Sequence, residues 1–134
     1  MKYKEVEFSS PTGNHALMRT LVRKFLDGFP LSEKERTLVV LGVDEACTNI
    51  IRHAYELRDD QLIALSMEDG GDCVRMRLRD YGRQTPADAM RGRAPDLIRP
   101  GGLGMHLMRS VFDKVDYILR EHGTELVLTK KFSG

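Results

Sequence analysis

Three short stretches hold the side chains of this chain best suited to chemistry: Asp44-Glu45-Ala46-Cys47-Thr48-Asn49, Asp80-Tyr81-Gly82 and Gly101-Gly102-Leu103-Gly104. Glu45 and Asn49 stand four residues apart, so on a helix they share a face, one turn above the other. An Asn amide oxygen is a neutral hard ligand suited to a Mg²⁺ that keeps waters and phosphate oxygens. A carboxylate one turn away can take a proton from a water or hydroxyl lined up on a phosphate. Alone, the pair is also what any exposed helix edge carries. Asp80 follows Met76 and Leu78 at a strand end, where a carboxylate can accept from an exocyclic amine such as adenine N6. Gly82 then lets a flat base approach the backbone, although a plain Asp-Gly turn has the same composition. Glycines at a loop-to-helix junction leave backbone N–H groups free to point at phosphate, and the helix N-terminus adds partial positive charge. No Gly-Lys-Ser/Thr follows, which excludes a Walker A loop. The Pro-containing loop before the glycines excludes the first turn of a dinucleotide-binding unit. In this order the stretches describe one nucleotide site: carboxylate and metal ligand, base reader, phosphate cradle. Thr124, after Gly123, is either a hydroxyl donor to the base edge or an ordinary hairpin residue.

The elements that must position these groups follow from periodicity. Lys2–Ser9 alternates as a strand with one buried face. A turn at Ser10-Pro11-Thr12-Gly13 leads to Asn14 as N-cap of a helix carrying Ala16, Leu17, Thr20, Leu21 and Leu26, which Gly28 and Pro30 end. Ser32 and Glu35 form a capping box that opens the longest helix, to about Tyr55. Val39, Val40, Val43, Ala46, Cys47, Ile50, Ile51 and Ala54 form its sheet-facing stripe, with Glu45 and Asn49 on a neighbouring face. Strands over Leu62–Met67 and Cys73–Arg79 flank the hairpin turn Asp69-Gly70-Gly71-Asp72. Residues from Tyr81 to Pro100 are rich in Gly, Pro, Arg and Asp, a length and composition expected of a lid. A helix from about Leu103 to Phe112, strands over Val115–Arg120 and Glu125–Lys131, and a turn at Glu121-His122-Gly123-Thr124 complete the chain. The order β-α-α-β-β-lid-α-β-β predicts an α+β two-layer sandwich: a mixed, mostly antiparallel sheet with helices on one face.

The 134 residues read as a single domain, 1–134, with the lid at about 81–102. A formal net charge of +1 gives no bulk field for nucleic acid or an anionic membrane, so no direct nucleic-acid partner is expected. Arginines 75, 77, 79, 83, 91, 93 and 99 cluster around the suspected site, equally consistent with a solvated strand face and loop. No apolar run approaches the ~20 residues of a membrane helix, and no signal peptide is evident, so the expected location is cytoplasmic, off the membrane. Cys47 and Cys73 fit no metal spacing and read as free thiols, Cys47 as a small core residue.

The motifs together resemble the anti-sigma-factor serine/threonine kinases of the GHKL (Bergerat-fold, histidine-kinase-like ATPase) superfamily. Glu45-Ala46-Cys47-Thr48-Asn49 through His53-Ala54-Tyr55 is similar to that family's E-A-x-T-N-x-x-x-H-A-Y helix box, and Asp80-Tyr81-Gly82 to its D-x-G adenine box. Gly102-Leu103-Gly104-Met105-His106-Leu107-Met108 resembles its phosphate box, and Gly123-Thr124 its final G-T. Where the adenine box often continues to a second Gly, this chain has Arg83 and Gln84. The resemblance implies a Bergerat fold in which Glu45 is the catalytic base, Asn49 the Mg²⁺ ligand, and Asp80 and Thr124 the adenine readers beside Gly82. It implies that Gly101, Gly102, Leu103, Gly104, Met105 and His106 contact ATP, with Gly102 and Gly104 holding phosphate through their backbone. The glycine box lacks a lysine, so Arg52, Arg99 or another lid arginine is expected at the γ-phosphate. Arg19 occupies the first-helix position where the family presents an arginine to partners. The implied activity is phosphorylation of a STAS-domain anti-anti-sigma protein and sequestration of a sigma factor by a homodimer, with ATP and Mg²⁺ as cofactors. The alternative is a non-catalytic, nucleotide-gated protein-binding module on the same fold; the presence of both Glu45 and Asn49 weighs against it, since a clamp needs no proton acceptor.

Overall fold

The computed structural model describes residues 2–9, 13–51, 62–82 and 102–132. In chain order these form β1 (Tyr3–Ser9), α1 (Gly13–Leu26), α2 (Glu33–Asn49), β2 (Leu62–Asp69), β3 (Cys73–Asp80), α3 (Gly102–Val111), β4 (Lys114–Leu119) and β5 (Thr124–Lys131). The strands make one five-stranded sheet in the order β1-β2-β3-β5-β4. Every pairing among the described strands is antiparallel, where a mixed, mostly antiparallel sheet was expected. The cause lies in the two helices described between β1 and β2. α1 carries the chain away from the end where β1 finishes and α2 carries it back, so β2 starts at that end and runs against β1.

Alternation along the strands assigns the two faces. Val6, Leu65, Leu78, Leu126 and Tyr117 are register partners in one row across the sheet, and Met67, Met76 and Leu128 occupy the next inward row. Nearly all are buried, against Met18, Val22 and Leu26 of α1, Val39, Val43, Ala46 and Cys47 of α2, and Met108 and Val111 of α3. Each fully buried Leu or Met of this core is worth about 1.5–3 kcal/mol relative to exposure. Arg75, Arg77 and Arg79 alternate to the other face, where Arg75 and Arg77 share Glu68 at 3.0 and 3.4 Å. For Arg75 and Arg77 the solvated-face reading holds, whereas Arg79 donates to the Asp80 carbonyl oxygen and lies over the Tyr81 ring, beside the suspected site; the other four lie outside the described residues. Cys47 and Cys73 are buried free thiols, and burial pushes the Cys47 thiol up, as expected of an inert core residue.

The helix ends carry several corrections. The capping box on α2 is present: the Glu35 N–H donates to Ser32 Oγ at 3.0 Å and the Ser32 N–H to Glu35 Oε1 at 2.9 Å. The latter bond holds the Glu35 carboxyl below its usual range. Gly13 is already helical, so Asn14 sits in the first turn of α1 instead of capping it. The regular part of α2 stops at Asn49, and Ile50 and Ile51 continue as a wider π-type turn; Arg52 to Tyr55 lie outside the described residues. α3 includes Gly102, one residue before the expected start.

Direction and register collect the important ends. Lys130 Nζ lies 3.6 Å from Glu35, which fixes the start of α2 beside the last residues of β5. The C-terminal ends of α2 and β3 and the N-terminal ends of α3 and β5 therefore meet at the opposite end of the sandwich. No described helix is long and apolar enough to cross a membrane.

Candidate functional site

Asp80 ends β3 on the inward, helix-covered face, in the row of Phe8 and Ile63. It is the one carboxylate among the described residues taken almost completely out of water, at 4% exposure. Its Oδ1 accepts from the Gly82 N–H at 3.0 Å, and the Thr124 N–H donates to the same carboxylate. Burial raises its pKa, and the two N–H donors and Arg79 oppose that rise. Asp80 and Thr124 are thus neighbours although 43 residues lie between them in the sequence.

Thr124 is a correction. It is the first residue of β5, not part of the hairpin turn, and it is buried at 6% exposure. The reason lies in Gly123, whose φ of +82° closes the turn one residue early. A Cβ on Gly123 would stand 2.0 Å from the Asp80 carbonyl oxygen, so this glycine is what allows the β4–β5 hairpin to rest directly on the Asp80–Tyr81 backbone.

A buried carboxylate with a raised pKa has a definite pH signature. The folded state binds a proton more readily than the unfolded chain, so the Asp80 contribution to stability is fully present below about pH 4, the unfolded value. It is lost as pH rises through the folded value. Relative to Asp80→Asn, the wild-type protein should therefore lose stability as pH rises from the unfolded value through the folded one, as measured by urea unfolding across that window. A constant difference across it would show that the side chain is not buried as an acid.

Glu45 and Asn49 lie on the shoulder of α2 that faces α3. Gly42, Glu45 and Asn49 follow i, i+3, i+7 spacing, and a Cβ on Gly42 would come within 2.7 Å of the Phe112 ring after α3. The absent side chain at Gly42 lets α3 approach closely, which places Glu45 and Asn49 along the groove toward its N-terminal turn. Sequence reasoning missed Gly42; the signal was an isolated glycine inside a strongly periodic helix. Glu45 is half-buried and makes no hydrogen bond or ion pair among the described residues. Asn49 Oδ1 is buried with no hydrogen-bond partner among the described residues. A buried amide oxygen left unpaired costs about 1–3 kcal/mol, and it fits the position of a hard-cation ligand.

α3 begins at Gly102, so its first N–H groups have no partner within the helix and lie at the same end as Asp80 and Asn49. The side chains of Leu103, Met105 and His106, and all of Gly101, Arg52 and Arg99, fall outside the described residues. Arg19 lies on the other flank of α2, its guanidinium 3.2 Å from Asp44 Oδ1. The same oxygen is 3.1 Å from Nδ1 of the buried His15, whose Nε2 has no partner among the described residues. This His15–Asp44–Arg19 cluster joins α1 to α2 and was also missed from sequence. The structure thus brings Asp80, Gly82 and Thr124 into contact, and puts Glu45, Asn49 and the start of α3 at the same end; Arg19 stands apart from them.

The profile of a family described as a histidine kinase-like ATPase domain matches residues 8–130. An anti-sigma F factor of Clostridium beijerinckii is 31% identical over 134 residues, covering 96% of this chain and 93% of its own. An anti-sigma F factor of Bacillus cytotoxicus is 28% identical over 135 residues, covering 96% and 92%. Among solved structures, the RsbU and RsbW domains of Rv1364c from Mycobacterium tuberculosis superpose with a TM-score of 0.72 at 15% identity, covering 100% of this chain and 33% of that one. The histidine kinase domain of the Erythrobacter litoralis EL346 blue-light activated kinase does so with a TM-score of 0.61 at 16% identity, covering 90% and 60%. At those identities the two structures establish the shared fold.

Proposed function

Because the chain belongs to the histidine kinase-like ATPase domain family, alongside the anti-sigma F factors, we propose that it is an ATP-dependent serine/threonine kinase. Its substrate is a STAS-domain anti-anti-sigma protein, and its second partner is a sigma factor that it sequesters, acting as a homodimer in the cytoplasm. Membership of an ATPase domain family of this kind implies nucleotide binding. The observation that carries the finer reading is the buried, unpaired Asn49 Oδ1 one turn from Glu45, at the same end as the buried Asp80.

In this reading Asp80 accepts from the adenine amine, with Gly82 and Thr124 holding its carboxylate in place. The backbone N–H groups at the start of α3 would receive phosphate, and Asn49 would hold Mg²⁺. When bound, that ion neutralises charge on the phosphates. The acceptor hydroxyl oxygen bonds to the γ-phosphorus as the bond from that phosphorus to the bridging oxygen breaks. ADP leaves with the electron pair, and the hydroxyl proton passes to Glu45. Transfer of this kind depends on positioning and charge stabilisation more than on covalent chemistry, which suits a site with few reactive side chains.

Thermal unfolding with ATP, ADP or GTP, each with and without Mg²⁺, tests the site. A ligand at a hundred times its Kd adds about 2.7 kcal/mol, roughly 3–6 °C for a domain of this size. The expected result is a shift with adenine nucleotides that GTP does not reproduce, and an Mg²⁺-dependent part that Asn49→Ala removes. No shift at millimolar nucleotide would overturn the kinase reading and leave a protein-binding module.

A further inference from the structure

Leu41 is the one large apolar side chain exposed on the described part of α2, at 45%. A single exposed leucine is ordinary; its position is not. It stands one turn before Glu45, and Leu38, partly buried against the core, precedes it by three residues. Leu38, Leu41 and Glu45 therefore follow i, i+3, i+7 spacing along a single stripe of the helix. On the α1 side of this stripe the charges are already matched, Arg23 reaching Glu33 and Thr37 and Arg19 reaching Asp44. Among the described residues, what this stripe of α2 offers an incoming chain beside Glu45 is thus apolar contact.

We propose that Leu41, with Leu38 beside it, docks the phosphate-accepting protein by taking an apolar side chain two residues from the acceptor serine or threonine. The inference rests on the phosphoryl-transfer reading above and adds the feature by which the substrate is chosen. A hydroxyl delivered to Glu45 must be carried by a chain that also covers the adjoining turn of α2. Side chains one helical turn apart have Cβ atoms about 5–6 Å from each other. In an extended chain, side chains two residues apart share a face and lie about 6.5 Å from each other. Neighbours one apart point to opposite faces, and those four apart lie about 13 Å from each other, so the spacing of Leu41 and Glu45 selects the two-residue step.

The test uses the full chain and a STAS-domain protein of the same genome that it phosphorylates from ATP. Leu41→Ala and Leu41→Gln should raise the KM for that protein about tenfold, equivalent to about 1.4 kcal/mol. The kcat should stay within twofold and the ATP affinity should not change, while Leu41→Met keeps the wild-type KM. Changing the apolar residue two positions from the phosphorylated hydroxyl to Ala should raise KM equally, with no further rise when combined with Leu41→Ala. A KM within twofold of wild type in both Leu41 variants overturns the docking site while leaving the kinase intact. If the wild-type chain phosphorylates no such protein, the kinase reading fails and the docking site with it.

Discussion

Glu45→Gln should cripple phosphate transfer to the partner protein while leaving nucleotide binding in place. The substitution preserves the shape and length of the side chain and removes only its ability to take a proton. Glu45 is half-buried on the α3-facing shoulder of α2 and bonds to no other described residue, so no contact among the described residues is lost with the charge. Positioned general bases contribute about 10²–10⁴-fold, and the single-turnover transfer rate should fall by that factor. The ATP-induced rise in unfolding temperature and the affinity for the partner protein should both persist, because the groups assigned to adenine, phosphate and docking are elsewhere. Loss of binding together with transfer would instead make Glu45 a structural residue. Asn49→Ala should give a different pattern: its loss removes the Mg²⁺-dependent part of nucleotide affinity first.

The contrast between what could and could not be read from sequence has physical causes. The α2 stripe, the capping box and the alternation in β2 and β3 were legible because each depends on residues close together in the chain. The inward row of Asp80 and Thr124 depends on β3 and β5 being register neighbours, a relation that no local pattern contains. Resemblance pointed to both residues, but the contact between them and the burial of the carboxylate came only with the fold. Gly42 and the His15–Asp44–Arg19 cluster escaped for the same reason, since each acts across a helix–helix contact. The boundary errors were smaller in kind. Asn14 and Thr124 both follow a glycine, and composition cannot tell on which side of the glycine an element begins.

Two glycines in hairpin turns allow backbone strain to be separated from close contact. Gly71 and Gly123 have nearly the same left-handed backbone, with φ of +91° and +82°. A Cβ on Gly71 meets nothing within 4 Å, whereas one on Gly123 would stand 2.0 Å from the Asp80 oxygen. Gly71→Ala should therefore cost only the left-handed conformation, about 1–2 kcal/mol. Gly123→Ala carries the same cost and must also displace the hairpin from the Asp80–Tyr81 backbone, because the obstacle is main chain and cannot rotate aside. A total of about 3 kcal/mol or more is expected, within the range of substitutions that break a special backbone site. The displacement also moves the Thr124 N–H away from the Asp80 carboxylate. Thermal unfolding of both variants with and without ATP reads the two effects together. Gly71→Ala should unfold a few degrees early and keep its full ATP-induced shift, while Gly123→Ala should unfold much earlier and lose it. Equal destabilisation with the ATP shift kept in both would mean that the contact between the hairpin and Asp80 does not shape the nucleotide site.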